Sequence, residues 1–299
     1  YWQPTIAIFI DSEIWPSMFR EIKKRSVPLI LMNARITKKS FNKWKFFKSF
    51  SRNTFGKIDI AYPSNIETFY YLKKLEINKI KKIGNLKFTD SKNSNKRLLS
   101  KSFVLSLKKR LIWVASSTHP SEEALVGKAH IHLRKKFKNL LTIIIPRHVN
   151  RVKEIKDELE TLKLKTVIRS SKQKISLKTD IYLVDSYGET KKFFKIAKII
   201  FMGGSIVNHG GQNPIEPARY GLNIVHGPNV GNFKDVFNLF KKKKIAFQIN
   251  SRNQLIKVIQ KLLVRRNKNK FNLKKIGRSI LKKTVIEITE IFKNEIKKT

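Results

Sequence analysis

Cysteine is absent from all 299 residues, which excludes disulfides, thiolate zinc sites and thiol nucleophiles. No apolar run reaches the roughly 18 residues a membrane-spanning helix needs, and no secretory leader is visible. Acidic residues are few, 21 Asp+Glu against 65 Lys+Arg, for a formal charge of +44. That excess points to anionic partners: nucleic acid, a membrane surface or phosphorylated substrates. Lysine, isoleucine and asparagine are abundant together, as in AT-rich coding sequence, so the charge permits such partners without selecting one. What is present suffices for real cores, since 41% of residues are hydrophobic, and global disorder is excluded.

The glycines are only 12 in number, yet four stand in two pairs within residues 201–217, FMGGSIVNHGGQNPIEP. An apolar run, 197–202, precedes them as a buried strand. Gly203-Gly204 and Gly210-Gly211 then allow positive φ and close backbone approach to a ligand. Asn213, Pro214, Ile215 and Glu216 read as a helix start: Asn as cap, Pro in the first position, Glu returning a bond to the cap's N–H. Gly221 ends that helix, and 222–226 is the next strand. In a parallel sheet this lies at the carboxyl edge, where such folds bind ligands. Helix-start N–H groups suit phosphate oxygens and a carboxylate suits a ribose diol. Turn-making glycines and a plain helix cap are the alternative, which the two pairs followed by Asn-Pro-x-Glu-Pro make the weaker reading.

Strands and helices alternate elsewhere. Strands are expected at 5–10, 28–32 and 57–61, with helices between them and a capping box Ser64-Asn-Ile-Glu67. A polar stretch, 79–102, reads as linker. Further strands fall at 111–115, 140–145, near 166 and 181, then 197–202. A helix is opened by Ser121-Glu-Glu123, another is capped by Ser251, and a basic helical stretch closes the chain from 276 to 298. The alternation indicates parallel, doubly wound sheets.

The run 201–217 resembles the signature of the bacterial Kdo transferases, which move 3-deoxy-D-manno-octulosonic acid (Kdo) from CMP-Kdo onto a lipid A precursor. Asp11-Ser-Glu-Ile-Trp-Pro16 is similar to the family's Glu-Thr-Glu-Leu-Trp-Pro, and Asn33-Ala-Arg-Ile-Thr-Lys-Lys-Ser40 to its Asn-Ala-Arg-Leu-Ser-x-Arg-Ser. Gly84-Asn-Leu-Lys-Phe88 looks like Gly-Ser-Leu-Lys-Phe, while Ser117-Thr-His-Pro-x-Glu-Glu123 and Pro146-Arg-His148 match directly. The motifs keep family order over essentially the whole chain. The resemblance implies an α/β fold of GT-B type: two Rossmann-like domains with parallel sheets, the first incomplete, facing a cleft. Expected boundaries are 1–84 for the acceptor-side domain, 85–102 for the linker, 103–275 for the CMP-sugar-binding domain and 276–299 for the basic C-terminal segment.

The same resemblance implies an inverting, metal-independent glycosyltransferase without cofactor. Lys87 and Glu13 would stabilise the transition state. Pro146, Arg147, Tyr187, Gly188, Glu189, Asn213, Pro214, Ile215 and Glu216 would bind the CMP donor. The partners implied are CMP-Kdo, a lipid A precursor and an anionic membrane surface, at the cytoplasmic face of the inner membrane. The family's general base, a Glu in a Gly-Glu motif, matches no residue here. The chain, opening on Tyr1, is therefore expected to be a piece that binds CMP without transferring Kdo. On residues alone, Lys87 is an ordinary surface lysine, Glu13 a helix-start carboxylate and Gly188 a turn. His119, His148 and His209 could bond the donor or be structural. A related enzyme using a UDP-sugar is a second reading. A nucleic-acid binder is a third, disfavoured because the lysines are spread out and no recognised module appears.

Overall fold

The computed structural model describes residues 3–89, 99–171, 173–265 and 273–297. It divides into two units, 1–92 together with 273–299, and 93–272.

The first unit holds three parallel strands, β1 (Ala7–Ile10), β2 (Leu29–Ala34) and β3 (Ile60–Pro63), in that spatial order. β2 is buried at every position, as a central strand covered on both faces must be. Phe19, Leu31, Phe41, Phe55 and Leu72 fill one face. Ile30, Met32, Ile60, Tyr62 and Ile83 fill the other, where Ile288 and Ile291 of the helix Leu273–Ile296 pack. That helix, expected as a separate basic segment, is thus part of the first unit. It is fastened by Glu287, which accepts from Tyr62 Oη and Lys81 Nζ, each at 2.7 Å. Gly277 lies so close to the turn Leu86–Phe88 that a Cβ would sit 2.2 Å from the Phe88 carbonyl oxygen. The expected capping box is shifted by one residue: Asn65, not Ser64, accepts from Thr68 N–H at 2.7 Å, and Glu67 instead accepts from Tyr71 Oη. Within the expected linker 85–102, residues 90–98 lie outside those described.

The second unit holds β4 (Leu111–Thr118), β5 (Leu140–Pro146), β6 (Thr166–Ile168), β7 (Ile181–Leu183), β8 (Ile199–Met202), β9 (Asn223–His226) and β10 (Ala246–Gln248). Their order is β10-β9-β8-β4-β5-β7-β6, and every pairing is parallel. β10 was not expected: three residues flanked by lysines carry too little alternation to register as a strand. The chain winds outward from β4 through β5 to β6 and β7, then returns to lay β8 on β4's other side. The crevice outside β4 and β8 is therefore the topological switch point, where open α/β sheets bind ligands.

At the opposite, amino edge a buried arginine replaces the missing links between strands. Arg110 donates to the carbonyls of Asn139, Leu140, Ser176 and Thr179. Burial lowers its pKa, with Asp180 acting against that. Arg110→Met would leave those carbonyls unpaired and is expected to cost about 3 kcal/mol, read by urea denaturation. An unchanged midpoint would mean that water replaces the guanidinium.

Candidate functional site

Two loops meet at the switch point, and a carboxylate joins them. Glu122 is fully buried at the start of the helix Glu122–Lys136. It accepts from the backbone N–H groups of His119 at 3.0 Å, Gly204 at 2.8 Å, Ser205 at 3.1 Å and Ile206 at 2.9 Å. One charge thus neutralises the donors of the glycine loop and fixes that loop against the end of β4. Gly203 makes the approach possible, since a Cβ there would stand 2.2 Å from the Ser117 carbonyl oxygen. Gly204 is left-handed, and a Cβ there would stand 3.2 Å from the His119 ring. The loop closes through Gly211 N–H to Gly204 O at 2.8 Å.

Imidazoles and guanidiniums crowd this edge. His119 stacks on His209 with ring centroids 4.2 Å apart, and His148 stands edge-on at 5.9 Å. His119 is buried and its Nε2 meets no hydrogen-bond partner among the described residues. Burial, then His209, His148, Arg147 and Arg151, hold its pKa down at about 4, so it is neutral at pH 7. Arg151 pairs with buried Glu123 at 3.2 Å and with Glu154 at 3.0 Å. Burial raises the Glu123 pKa, and the Arg151 charge works against that. Arg147 differs: its amide bonds Thr118 O at 2.9 Å, while its exposed side chain makes no ion pair with a described residue. An exposed, unpaired guanidinium beside a neutral imidazole suits an anion.

The other donor-site candidates line the same edge, because β8, β4, β5 and β7 are adjacent and parallel. Pro146 ends β5, while Tyr187 and Gly188 follow β7, Tyr187 exposed and Gly188 left-handed in open space. Glu189 is already engaged by Arg169, Lys192 and Ser186. Burial pushes its pKa up, but those three partners outweigh it and hold the carboxyl at about 2. Asn213 Oδ1 accepts from Ile215 N–H at 3.0 Å. The helix begins at Ile215 and spans five residues, Ile215–Arg219, one position later than a cap at Asn213 implies. Glu216 pairs with Lys191 Nζ at 2.7 Å, tying the segment after β8 to the one after β7.

In the first unit, Lys87 Nζ lies 3.5 Å from Asp11 Oδ2. Asn33, at φ 51° one residue before the end of β2, donates to Asp11 and accepts from Leu86 N–H at 2.9 Å. Glu13 accepts from Trp15 Nε1 at 2.7 Å. The structure thus brings Lys87 and the loop bearing Glu13 to one end of this sheet. Sequence reasoning missed Glu122, Asn33 and Arg169 as organisers. The partners that make them organisers lie 82–84, 53 and 20 residues away, beyond what local spacing can mark. Among the described residues no group of three or more His, Cys, Asp or Glu could hold a metal ion, and no helix is long and apolar enough to cross a membrane.

Residues 1–90 match the family model for 3-deoxy-D-manno-octulosonic-acid transferase (kdotransferase). A 3-deoxy-D-manno-octulosonic acid transferase of Haemophilus influenzae is 30% identical over 93% of this chain and 66% of its own length. The Rickettsia prowazekii transferase is 33% identical over 98% of this chain and 64% of its own length. The chain belongs to this family. It spans about 56 to 66% of the length of its first-ranked curated relatives. Among solved structures, the C-terminal CMP-Kdo binding domain of WaaA from Acinetobacter baumannii is 26% identical. That match has a TM-score of 0.53 and covers 61% of this chain and 92% of the domain. A UDP-N-acetylglucosamine 2-epimerase matches at 10% identity and a TM-score of 0.53, over 96% of this chain and 73% of its own, which speaks to fold alone. The α/β architecture of GT-B type, with parallel sheets of three and seven strands, is the one expected.

Proposed function

We propose that this Kdo transferase family chain binds CMP-Kdo on its second unit and serves the transfer of Kdo to a lipid A precursor at the inner face of a bacterial membrane. The supporting observation is the cationic switch-point edge, with Arg147 unpaired beside His119, His148 and His209, in a unit related to a CMP-Kdo binding domain. In the reaction an acceptor hydroxyl attacks the anomeric carbon of Kdo while its proton passes to a general base, the Gly-Glu glutamate that no residue here matches, the bond to phosphate breaks, and CMP leaves with the electron pair. Arg147 would neutralise the departing phosphate. Asn213 and Glu216 would face the nucleoside through the rigid turn at Ile215, with Pro146, Pro214, Tyr187 and Gly188 shaping the walls. Glu189 would act through Arg169 rather than by direct contact, because its oxygens are taken. Lys87 and Glu13 would serve the transition state.

Thermal unfolding with nucleotides tests this. CMP in large excess over its Kd is expected to add about 2 to 3 kcal/mol of stability, with UMP and UDP adding far less. Stabilisation by UDP and not by CMP would favour the UDP-sugar reading instead. Arg147→Ala is expected to weaken CMP about 30-fold to 100-fold by calorimetry while leaving the ligand-free melting temperature unchanged, because its side chain supports no contact of the fold. Equal affinity in the variant would remove Arg147 from the site.

A further inference from the structure

Among the described residues the larger sheet ends at β10. A groove of about 910 Å³ runs along that edge, within the roughly 300 to 1,000 Å³ of ligand sites. The pairing with β9 shows which way the edge faces. Ile224 N–H donates to Ile245 O and Ile249 N–H to His226 O, each at 2.8 Å, so alternate residues from Ile245 to Ile249 bond inward. Ala246 and Gln248 therefore turn their own N–H and C=O groups outward, and both line the groove. The other wall is the helix Arg252–Val264. Lys257 and Lys261, with Arg265 just past the helix end, recur every four residues and so stand on one face of it. Lys241 and Lys244 add two further charges. All five are exposed, and none forms an ion pair with a described residue. No carboxylate is among the lining residues, and from Val236 to Ile286 the sequence holds no Asp or Glu.

We propose that this groove takes an acidic peptide segment of a partner protein as an added strand on β10. Alternate residues of an extended chain stand about 6.6 Å apart, and residues four apart on a helix about 6 Å. Acidic side chains at every second position of the added strand therefore meet Lys257, Lys261 and Arg265 in turn, while its main chain pairs with Ala246 and Gln248. Lysines carried by an edge strand itself keep other strands away. Here β10 reads Ala-Phe-Gln and the cations come from the flanking segments, which leaves the outward groups open and selects for negative charge. A second copy of this chain is disfavoured by the same cations. Nucleic acid calls for aromatic platforms, and Phe247, half-buried, is the one aromatic among the described residues of the lining. The groove lies within the second unit and shares no residue with the proposed donor site, so the inference stands whether or not CMP binds.

Fluorescence anisotropy of the 299-residue chain with a labelled heptapeptide of alternating Glu and Val tests this. Saturable binding is expected below about 1 mM peptide and should weaken as salt rises. The same peptide N-methylated at every amide keeps its carboxylates and loses its main-chain donors, and is expected to bind about tenfold more weakly. Lys257→Gln, Lys261→Gln and Arg265→Gln together should lower affinity about tenfold. Gln248→Pro removes an outward N–H at an edge where proline is tolerated and should also lower affinity about tenfold. Both variants should melt close to the parent, because the altered side chains are exposed. Should Gln248→Pro fail to fold, the N-methylated peptide tests the main-chain pairing on the unaltered chain. No binding at about 1 mM peptide overturns the inference, as does equal affinity for the N-methylated peptide. Single-stranded DNA that binds more tightly than the peptide, and is weakened by the triple variant but not by Gln248→Pro, overturns it too.

Discussion

Glu122→Ala is expected to destabilise the chain by about 4 kcal/mol and to abolish stabilisation by CMP. The carboxylate is fully buried and accepts from four backbone N–H groups, three of them in the glycine loop after β8. Removing it strands those donors in a site closed to water, and each buried unsatisfied donor costs about 1 to 3 kcal/mol before relaxation. Part of the loss is recovered as the loop opens, which is why the sum is not the expected figure. The opening itself carries the functional consequence. Gly204 and the residues after it lose their tie to the end of β4, and the switch-point crevice loses its shape. Glu122→Gln separates charge from geometry. Its amide keeps one accepting oxygen and turns an NH2 group toward Gly204 or Ser205, so it should cost about half as much and leave weak CMP binding. Chemical denaturation gives the first figure and calorimetry the second. If Glu122→Ala melted within a degree of the parent, the loop would owe its position to glycine conformation alone.

The alternation of apolar runs with helix-length segments was enough to read a parallel α/β sheet. The glycine pairs point to the carboxyl edge of a strand, and they do follow β8 at the switch point. Buried parallel strands advertise themselves as near-continuous apolar runs, and β4, β5 and β8 do so. β10 does not, because an edge strand of three residues needs only one well-buried side chain. Ser64 made a plausible cap on spacing, but a cap is decided by which residue adopts extended φ and ψ, and that residue is Asn65. The C-terminal helix looked like an independent basic segment because its lysines dominate its composition. Its apolar minority decides where it packs, through Ile280, Ile288 and Ile291. Roles for single acids were the least legible. Glu122, Glu189 and Glu216 are alike in sequence. One bolts a loop, one sits in an arginine and lysine clamp, and one holds a lysine from the neighbouring segment. Only the pairing of strands distant in sequence distinguishes them.

Stability is expected to fall steeply as pH drops from about 6.5 to 4, starting well above the pH at which carboxylates titrate. Burial is the main reason that His119 and His226 are both held at about 4, against an ordinary value of 6.5. For His119 the neighbouring His209, His148, Arg147 and Arg151 add to it. For His226 the Gly227 carbonyl, 2.7 Å from Nδ1, works in the opposite direction. His130 is lowered as well, by burial first, with Asp180 opposing. In each case the folded state refuses a proton that the unfolded chain accepts. The stability contributed is therefore fully present above about 6.5, shrinks as pH falls, and is exhausted below about 4. A displacement of about 2.5 pKa units corresponds to at most about 3 kcal/mol for each of His119 and His226. A second limb follows at lower pH from Asp180 and Glu189. Burial raises both, but His130, the Lys165 amide and Arg134 for Asp180, and Arg169, Lys192 and Ser186 for Glu189, hold them at about 2. Glu123, raised by burial, takes up its proton in the folded state at higher pH than in the unfolded chain, so it opposes the histidine limb rather than this one. Melting temperatures measured from pH 7.5 to 4.5 should trace the histidine limb, and His119→Gln together with His226→Gln should flatten most of it. His119 and His226 imidazole resonances titrating near 6.5 in the folded protein would contradict the assignment.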